Sequence, residues 1–255
     1  MNVVVTTLAR NEEKIIPYFI HHYASIADVI CIYDHESTDN SMAIAQELAH
    51  KLDVELRILT VPNDGFDDHL SKTVKENAYK DYRSPDTIAI TVDADELIHH
   101  PKGTRERLLR LHEQHGSQLA IKPKGYQLVT STFPEYHGSP ITEVIKEGTR
   151  DEGFDKAACF SSELDLTMGY GMHVSKHSKD GIVATQLENT GFMLLHCKFL
   201  GADHRIERNQ ASATNLSELG KKLLAGGVGI QFKASEEGLR EEYQGVWDRR
   251  KPIKL

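Results

Sequence analysis

The sequence predicts an α/β fold built on a mostly parallel sheet, and three observations carry that prediction. Within the first 100 residues, apolar β-rich runs at 2–7, 29–33, 54–59 and 87–92 alternate with helical segments. The runs at 29–33 and 87–92 are continuous rather than alternating, as in strands buried on both faces. Loops 8–11, 34–39 and 93–96 each follow such a run. In a parallel sheet they would open together on the carboxyl edge, where ligands of open α/β sheets bind.

Each element has its own local reason. After the first strand, residues 12–27 carry Ile15, Ile16, Phe19, Ile20, Tyr23 and Ile26 on one helical stripe, with Glu12 and Glu13 in the first turn. The strand Val29, Ile30, Cys31, Ile32, Tyr33 runs into Asp34, His35, Glu36, Ser37, Thr38 and Asp39, rich in capping residues ahead of a helix at 41–51. A third strand at 54–59 is followed by a loop at 62–65 and a helix at 69–82. Ser84, Pro85 and Asp86 then turn the chain into the strand at 87–92. The order implies right-handed crossovers. Beyond it, a helix is expected at 104–115 and a strand at 119–123. Residues 125–190 hold only short β-like pieces. A buried strand at 191–199 turns polar at His196 and Lys198, and a helix follows at 217–224. A glycine-rich loop at 226–229 precedes a charged tail that reads as a peripheral helix.

The chain has 255 residues, 39% hydrophobic and 27% charged, enough for one large domain spanning 1–255. A net charge of −8 argues against nucleic acid as a partner, while leaving room for a basic pocket. Cys31, Cys159 and Cys197 are widely spaced and odd in number, which suits a reducing compartment. No apolar run is long enough for a transmembrane segment, and the first residues lack the basic region of a signal peptide, so a cytoplasmic location is expected.

The stretch 87–98 concentrates the chemistry. Its apolar run breaks into Asp93, Asp95 and Glu96. Three carboxylates at the end of a buried strand repel one another unless a cation neutralises them, and Mg²⁺ or Mn²⁺ with positions left for phosphate oxygens is the economical choice. A solvent-facing acidic turn is the alternative. His99 and His100 follow directly, but adjacent residues point apart and no third ligand lies at zinc spacing.

Taken together, the motifs resemble a known family. Thr7-Leu-Ala9-Arg10-Asn11-Glu12, the turn 33–39 (YDHESTD), Lys72 to Asn77, the stretch 92–97 (VDADEL) and the stretch 194–199 (LLHCKF) are similar to the family 2 glycosyltransferases. The likeness is to the family 2-like subgroup with D-x-D-E-F. It implies a GT-A fold, a Rossmann-like nucleotide-diphospho-sugar transferase architecture with a mostly parallel central sheet flanked by helices. Residues 1–100 would be the nucleotide-binding half, 101–200 the acceptor-side half and 201–255 a C-terminal helical extension.

By the same resemblance, Thr7, Ala9, Arg10, Lys72, Asn77, Asp93 and Ala94 would line the donor-nucleotide site. Asp34 would hydrogen-bond the base, and Asp95 would be the residue most directly on the metal. His35 and Glu36 stand where the family has a second acid and glycine, and Leu97 replaces its usual aromatic. The implied reaction moves a sugar, with inversion, from a nucleotide donor such as a UDP-sugar to a glycan or carrier-linked acceptor, as in polysaccharide biosynthesis. Mn²⁺ or Mg²⁺ would stabilise the departing diphosphate. His196 is a candidate third metal ligand beside Asp95 and Asp93, with a satisfied core histidine as the alternative. Lys198 is either a phosphate contact or a solvated lysine. The catalytic base would come from Glu143, Glu163 or Asp165, while His173 and Tyr170 would line the acceptor site.

Other classes fit less well. A sugar-nucleotide pyrophosphorylase should have a glycine-rich basic loop after the first strand, and this loop has no glycine. A D-x-D-x-T phosphatase would need Thr where Leu97 stands. A degenerate protein that binds nucleotide or glycan without turnover is the non-enzyme alternative.

Overall fold

A computed structural model describes residues 1–169, 175–227 and 233–255. The first half runs β1 (Asn2–Ala9), α1 (Ile16–Ala24), β2 (Val29–Asp34), α2 (Ser41–Lys51), β3 (Glu55–Thr60), α3 (Asp68–Asn77), β4 (Thr87–Thr91), β5 (Glu96–His99) and α4 (Thr104–His115). The second half continues with β6 (Ala120–Ile121), β7 (Lys124–Thr130), α5 (Ile141–Val144), β8 (Glu147–Arg150), β9 (Cys159–Ser161), β10 (Asp165–Met168), β11 (Ser175–Lys179) and β12 (Ile182–Val183). It ends with β13 (Met193–Leu200), α6 (Ala202–Thr214), α7 (Glu218–Ala225), α8 (Glu236–Asp248) and β14 (Lys251–Pro252).

The architecture is α/β, with a central sheet in the order β3-β2-β1-β4-β9-β6. Its first four strands are parallel, while β9 runs antiparallel to both β4 and β6. Every residue of β4 is buried, which explains the unbroken apolar sequence of that strand. A second sheet, β14-β8-β7-β13-β5, stands beside the first, and β10-β11-β12 form a small antiparallel sheet. The main core fills the space around α1, with Ile16, Phe19, Ile20 and Tyr23 packed among Ile30, Ile90, Leu97 and Leu194.

Several boundaries differ from the periodicity. The apolar stripe at 12–27 becomes a helix only from Ile16, where Pro17 sits in the first turn and supplies a preset φ. The segment 69–82 divides into α3 and a separate short 3₁₀ turn at Lys80–Tyr82. The expected strand at 119–123 shrinks to the two residues of β6. The strand expected at 191–199 continues to Leu200. Helix α6 has no counterpart among the segments read from periodicity, because its sequence is polar around most of its circumference.

Capping side chains join distant parts. Asp67 caps α3 by accepting from the Leu70 amide at 2.7 Å, and its other carboxylate oxygen accepts from the Ser217 hydroxyl at 2.6 Å. Ser217 in turn caps α7 through the Gly220 amide at 2.8 Å. The chains approach so closely here that a Cβ on Gly65, whose φ is +92°, would lie 2.5 Å from the Ser217 nitrogen. None of the described helices is long and apolar enough to cross a membrane. All three cysteines are buried and free.

Candidate functional site

Strands β1, β2 and β4 are neighbours and parallel, so the loops after them share the carboxyl edge. The first two loops are laced together. Arg10 Nη1 donates to the carbonyls of His35 and Glu36, each at 2.5 Å. The Thr38 amide donates to Asn11 Oδ1 at 2.7 Å, the Asn11 amide to Ser37 Oγ at 3.0 Å, and the Glu12 amide to Ser41 Oγ at 2.7 Å. These bonds hold Asn11 and Glu36 in the left-handed region, at φ of 52° and 50°. Asp34 is buried, and its Oδ1 accepts from the Ser37 amide at 3.0 Å. Thr7 and Ala9 are buried at the end of β1, the Ala9 carbonyl accepting from the His35 amide at 2.9 Å.

The acidic turn leaves β4 and crosses into the second sheet. It is closed by the Glu96 amide donating to the Asp93 carbonyl at 2.9 Å and by the Asp93 amide donating to Glu96 Oε2 at 3.1 Å. Ala94 is buried inside it. Each acid has its own cation. Lys75 Nζ lies 2.6 Å from Asp93 Oδ1, and Lys156 Nζ lies 2.5 Å from Glu96 Oε1 and 3.6 Å from Asp93 Oδ2. Asp95 Oδ2 lies 3.2 Å from His196 Nε2 and accepts a hydrogen bond from Arg208 Nη1. Arg208 also donates to Glu12 Oε1, from Nη2 at 2.6 Å and from Nε at 3.2 Å. Four carboxylates, Glu12, Asp93, Asp95 and Glu96, therefore face three fixed cations, Lys75, Lys156 and Arg208.

The electrostatics follow from this pairing. Burial alone would raise the Asp93 pKa, but Lys75 and then Lys156 outweigh it and bring the carboxyl down to about 2. Burial likewise opposes the ionised form of Asp95, yet Arg208 and then His196 hold its pKa well below the ordinary carboxylate value. Glu12 goes the other way. Its burial outweighs the attraction of Arg208, and its pKa is pushed up to about 7.

The expected site residues fall into three groups. Asp93, Ala94, Asp95, Thr7, Ala9, Arg10 and Asp34 gather on the carboxyl edge, and His196 joins them from the second sheet. His196 is not at the end of its strand. It pairs with Glu96 in mid-strand, beside an irregularity in the β7–β13 register between His196 and Phe199. Tyr170 and His173 lie outside the described residues.

The structure engages the remaining expected residues away from the acids. Lys72 pairs with Glu76 at 3.0 Å, and Asn77 is bonded within its own segment, to the Thr73 carbonyl and to Lys80. The side chain that α3 sends to the acids is Lys75. Lys198 pairs with Glu242 on α8 at 2.9 Å rather than facing the acids. Glu163 follows Ser162, whose amide donates to the Thr87 carbonyl at the amino end of β4, and it pairs with Lys179 at 2.7 Å. It is thus at the opposite edge of the sheet from Asp95. Asp165 pairs with Arg83 at that same edge. Glu143 is exposed on α5, where its charge acts on His21 of α1.

Sequence reasoning missed Lys75, Lys156, Arg208 and the role of Glu12. Lys75 stood in plain view between Lys72 and Asn77, one helical turn after Lys72. Lys156 and Arg208 come from segments with no periodic signal.

Among the described residues, no three His, Cys, Asp or Glu side chains converge as a metal site. What converges is the pair Asp95 and His196. Cis donors about 2.1 Å from an octahedral ion stand about 3 Å apart, so the 3.2 Å separation fits one divalent ion. The His196 ring is held against Phe154, with centroids 4.4 Å apart. The oxygens of Asp93 face Lys75 and Lys156 instead.

No family model and no curated protein matches the chain. Solved structures similar to it include S. aureus TarS, at 14% identity over 96% of this chain with a TM-score of 0.44. S. aureus TarS 1-349 in complex with UDP is similar at 17% identity over 84% of this chain, with a TM-score of 0.47. The mannosyltransferase PcManGT from Pyrobaculum calidifontis, in complex with GDP-Man and Mn²⁺, is similar at 15% identity over 95%, with a TM-score of 0.44. The chain spans 43% and 65% of the two TarS chains and 69% of the mannosyltransferase chain.

Proposed function

We propose that this chain is a metal-dependent glycosyltransferase of the GT-A type, moving a sugar from a nucleoside-diphosphate donor to a glycan or carrier-linked acceptor. The observation that supports it most directly is the Asp95–His196 pair, set 3.2 Å apart on the carboxyl edge beside the loops of β1 and β2. Two protein donors suit an ion that takes its remaining ligands from phosphate and water. The ion would supply Lewis-acid stabilisation of the departing diphosphate.

The chain's own residues do the rest. Asp93, 31% exposed at its side chain, is the most open acid of the turn and is kept ionised by Lys75 and Lys156, placing a hydrogen-bond acceptor beside the donor's ribose. Asp34 keeps one oxygen on the Ser37 amide and has the other for the base. Phe154 fixes the His196 ring so that Nε2 faces Asp95. A UDP-sugar is the donor proposed, on the sequence resemblance of the turn at 33–39.

Calorimetry with UDP, with Mn²⁺ and then in EDTA, tests this reading. UDP is expected to bind markedly tighter with the ion, and His196→Gln to lose about tenfold or more of that gain. Equal UDP affinity in Mn²⁺ and in EDTA refutes it. Mn²⁺-dependent hydrolysis across a panel of nucleotide sugars then separates a transferase from a protein that binds nucleotide without turnover.

A further inference from the structure

Arg208 occupies the oxygen that a metal ion would need. Its Nη1 is hydrogen-bonded to Asp95 Oδ2, the same atom that lies 3.2 Å from His196 Nε2. A guanidinium and a divalent ion of like sign cannot both press on one carboxylate oxygen in a nearly dry site without strong repulsion. Resting on the donor-site reading above, we propose that Arg208 is an exchangeable counter-cation. It holds Asp95 while no ion is bound, yields Asp95 to the ion, and turns its freed N–H to the phosphates of the donor.

The geometry makes the exchange local. Arg208 binds Asp95 through Nη1 alone, whereas Nη2 and Nε are both held by Glu12. Releasing Asp95 therefore frees one donor group while the guanidinium stays tethered at the site. Helix α6 has no need to move, because it is anchored separately by the buried Ile206 and by Arg205, which pairs with Glu242 at 2.9 Å. Side-chain exposure is 6% for Asp95, 13% for Glu12 and 31% for Arg208, so the arginine is the member of the trio open to an arriving ligand.

The competing account is that Arg208 permanently orients Asp95 as a supporting partner, and the two accounts differ in sign. Loss of a supporting partner weakens metal binding, commonly by 10–100-fold. Loss of a competitor strengthens it. Calorimetry of the full chain with MnCl₂ alone, and then with UDP at saturating Mn²⁺, reads both steps for Arg208→Gln. Mn²⁺ alone is expected to bind the variant about tenfold tighter than the unaltered protein, while UDP binds about tenfold weaker for want of a charge-assisted phosphate contact.

Arg208→Lys carries the same test should the Gln variant fold poorly. A lysine cannot span Glu12 and Asp95 in the same bidentate manner, so Mn²⁺ affinity is expected to rise by a smaller factor with UDP affinity largely kept. Weaker Mn²⁺ binding in the variants, or no change in either affinity, overturns the proposal. Unaltered protein that binds UDP equally in Mn²⁺ and EDTA would instead remove the donor-site reading and this proposal with it. A melting temperature raised by Mn²⁺ further in Arg208→Gln than in the unaltered protein supports the exchange by an independent readout.

Discussion

Replacing Lys156 with methionine is the most direct test of how the acidic turn is held. Lys156 and Glu96 are nearly inaccessible, with side-chain exposures of 4% and 1%, and their charged atoms are 2.5 Å apart. Methionine keeps much of the volume and removes the cation, leaving Glu96 buried with no opposite charge. Breaking a buried pair from one side commonly costs 3–5 kcal/mol. The Asp93 amide still donates to Glu96 Oε2, which offsets a part, so about 3 kcal/mol is expected at pH 7. For a chain of this length that corresponds to a melting temperature lower by roughly 6–12 °C.

A control follows from the same physics. Removing the second charge as well, in Lys156→Met with Glu96→Gln, should restore most of the loss, because replacing both partners costs far less than orphaning one. A melting temperature lower by under about 2 °C, with no rescue, would show that the pair does not neutralise a buried charge.

Two further outcomes are expected. Burial holds the imidazoles of both His22 and His177 at a pKa of about 4, against an ordinary 6.5. His22 feels the Ile98 carbonyl, which opposes the shift, and neighbouring His99 and His21, while His177 packs on Phe160 with neither ring nitrogen bonded among the described residues. The folded form of each binds its proton later than the unfolded chain. Their contribution is therefore intact above about pH 6.5 and is lost as pH falls from there toward 4, by roughly 2 kcal/mol each at pH 5. Urea unfolding of His177→Phe should show a shallower acid slope than the unaltered protein; an identical slope would refute the assignment. Asp34→Ala should cost about 1 kcal/mol for the lost Ser37 contact and also relax base preference in nucleotide binding. Lower stability with unchanged UDP affinity and preference would leave Asp34 as a turn residue only.

What the sequence determined by itself is local or carried by burial pattern. Strands β1, β2 and β4 were legible because each is largely buried and a residue's burial is written in its apolarity, whereas β3 is an edge strand whose residues alternate between half-buried and exposed over most of its length. The clustering of loops 8–11, 34–39 and 93–96 followed from strand order alone, since parallel strands place their ends on one edge. Asp93 and Asp95 are therefore assigned to that edge by the order of elements along the chain, and His196 stands out as a polar residue interrupting an apolar run.

Only the tertiary structure decided which charges meet. Lys75, Lys156 and Arg208 lie about 20, 60 and 110 residues from the acids in sequence, and a lysine that ends in a buried ion pair looks like one that ends in water. Lys72 and Asn77 illustrate the converse: Asn77, two positions from Lys75, lies on the far side of a helix of 3.6 residues per turn, and Lys72, one turn back, is taken up by Glu76. Glu163 looked as eligible as any acid until the antiparallel return of β9 carried it to the amino edge. Composition and periodicity report how much of a residue is buried. They are silent on its partner, because a charge pair joins residues through space at no fixed spacing along the chain.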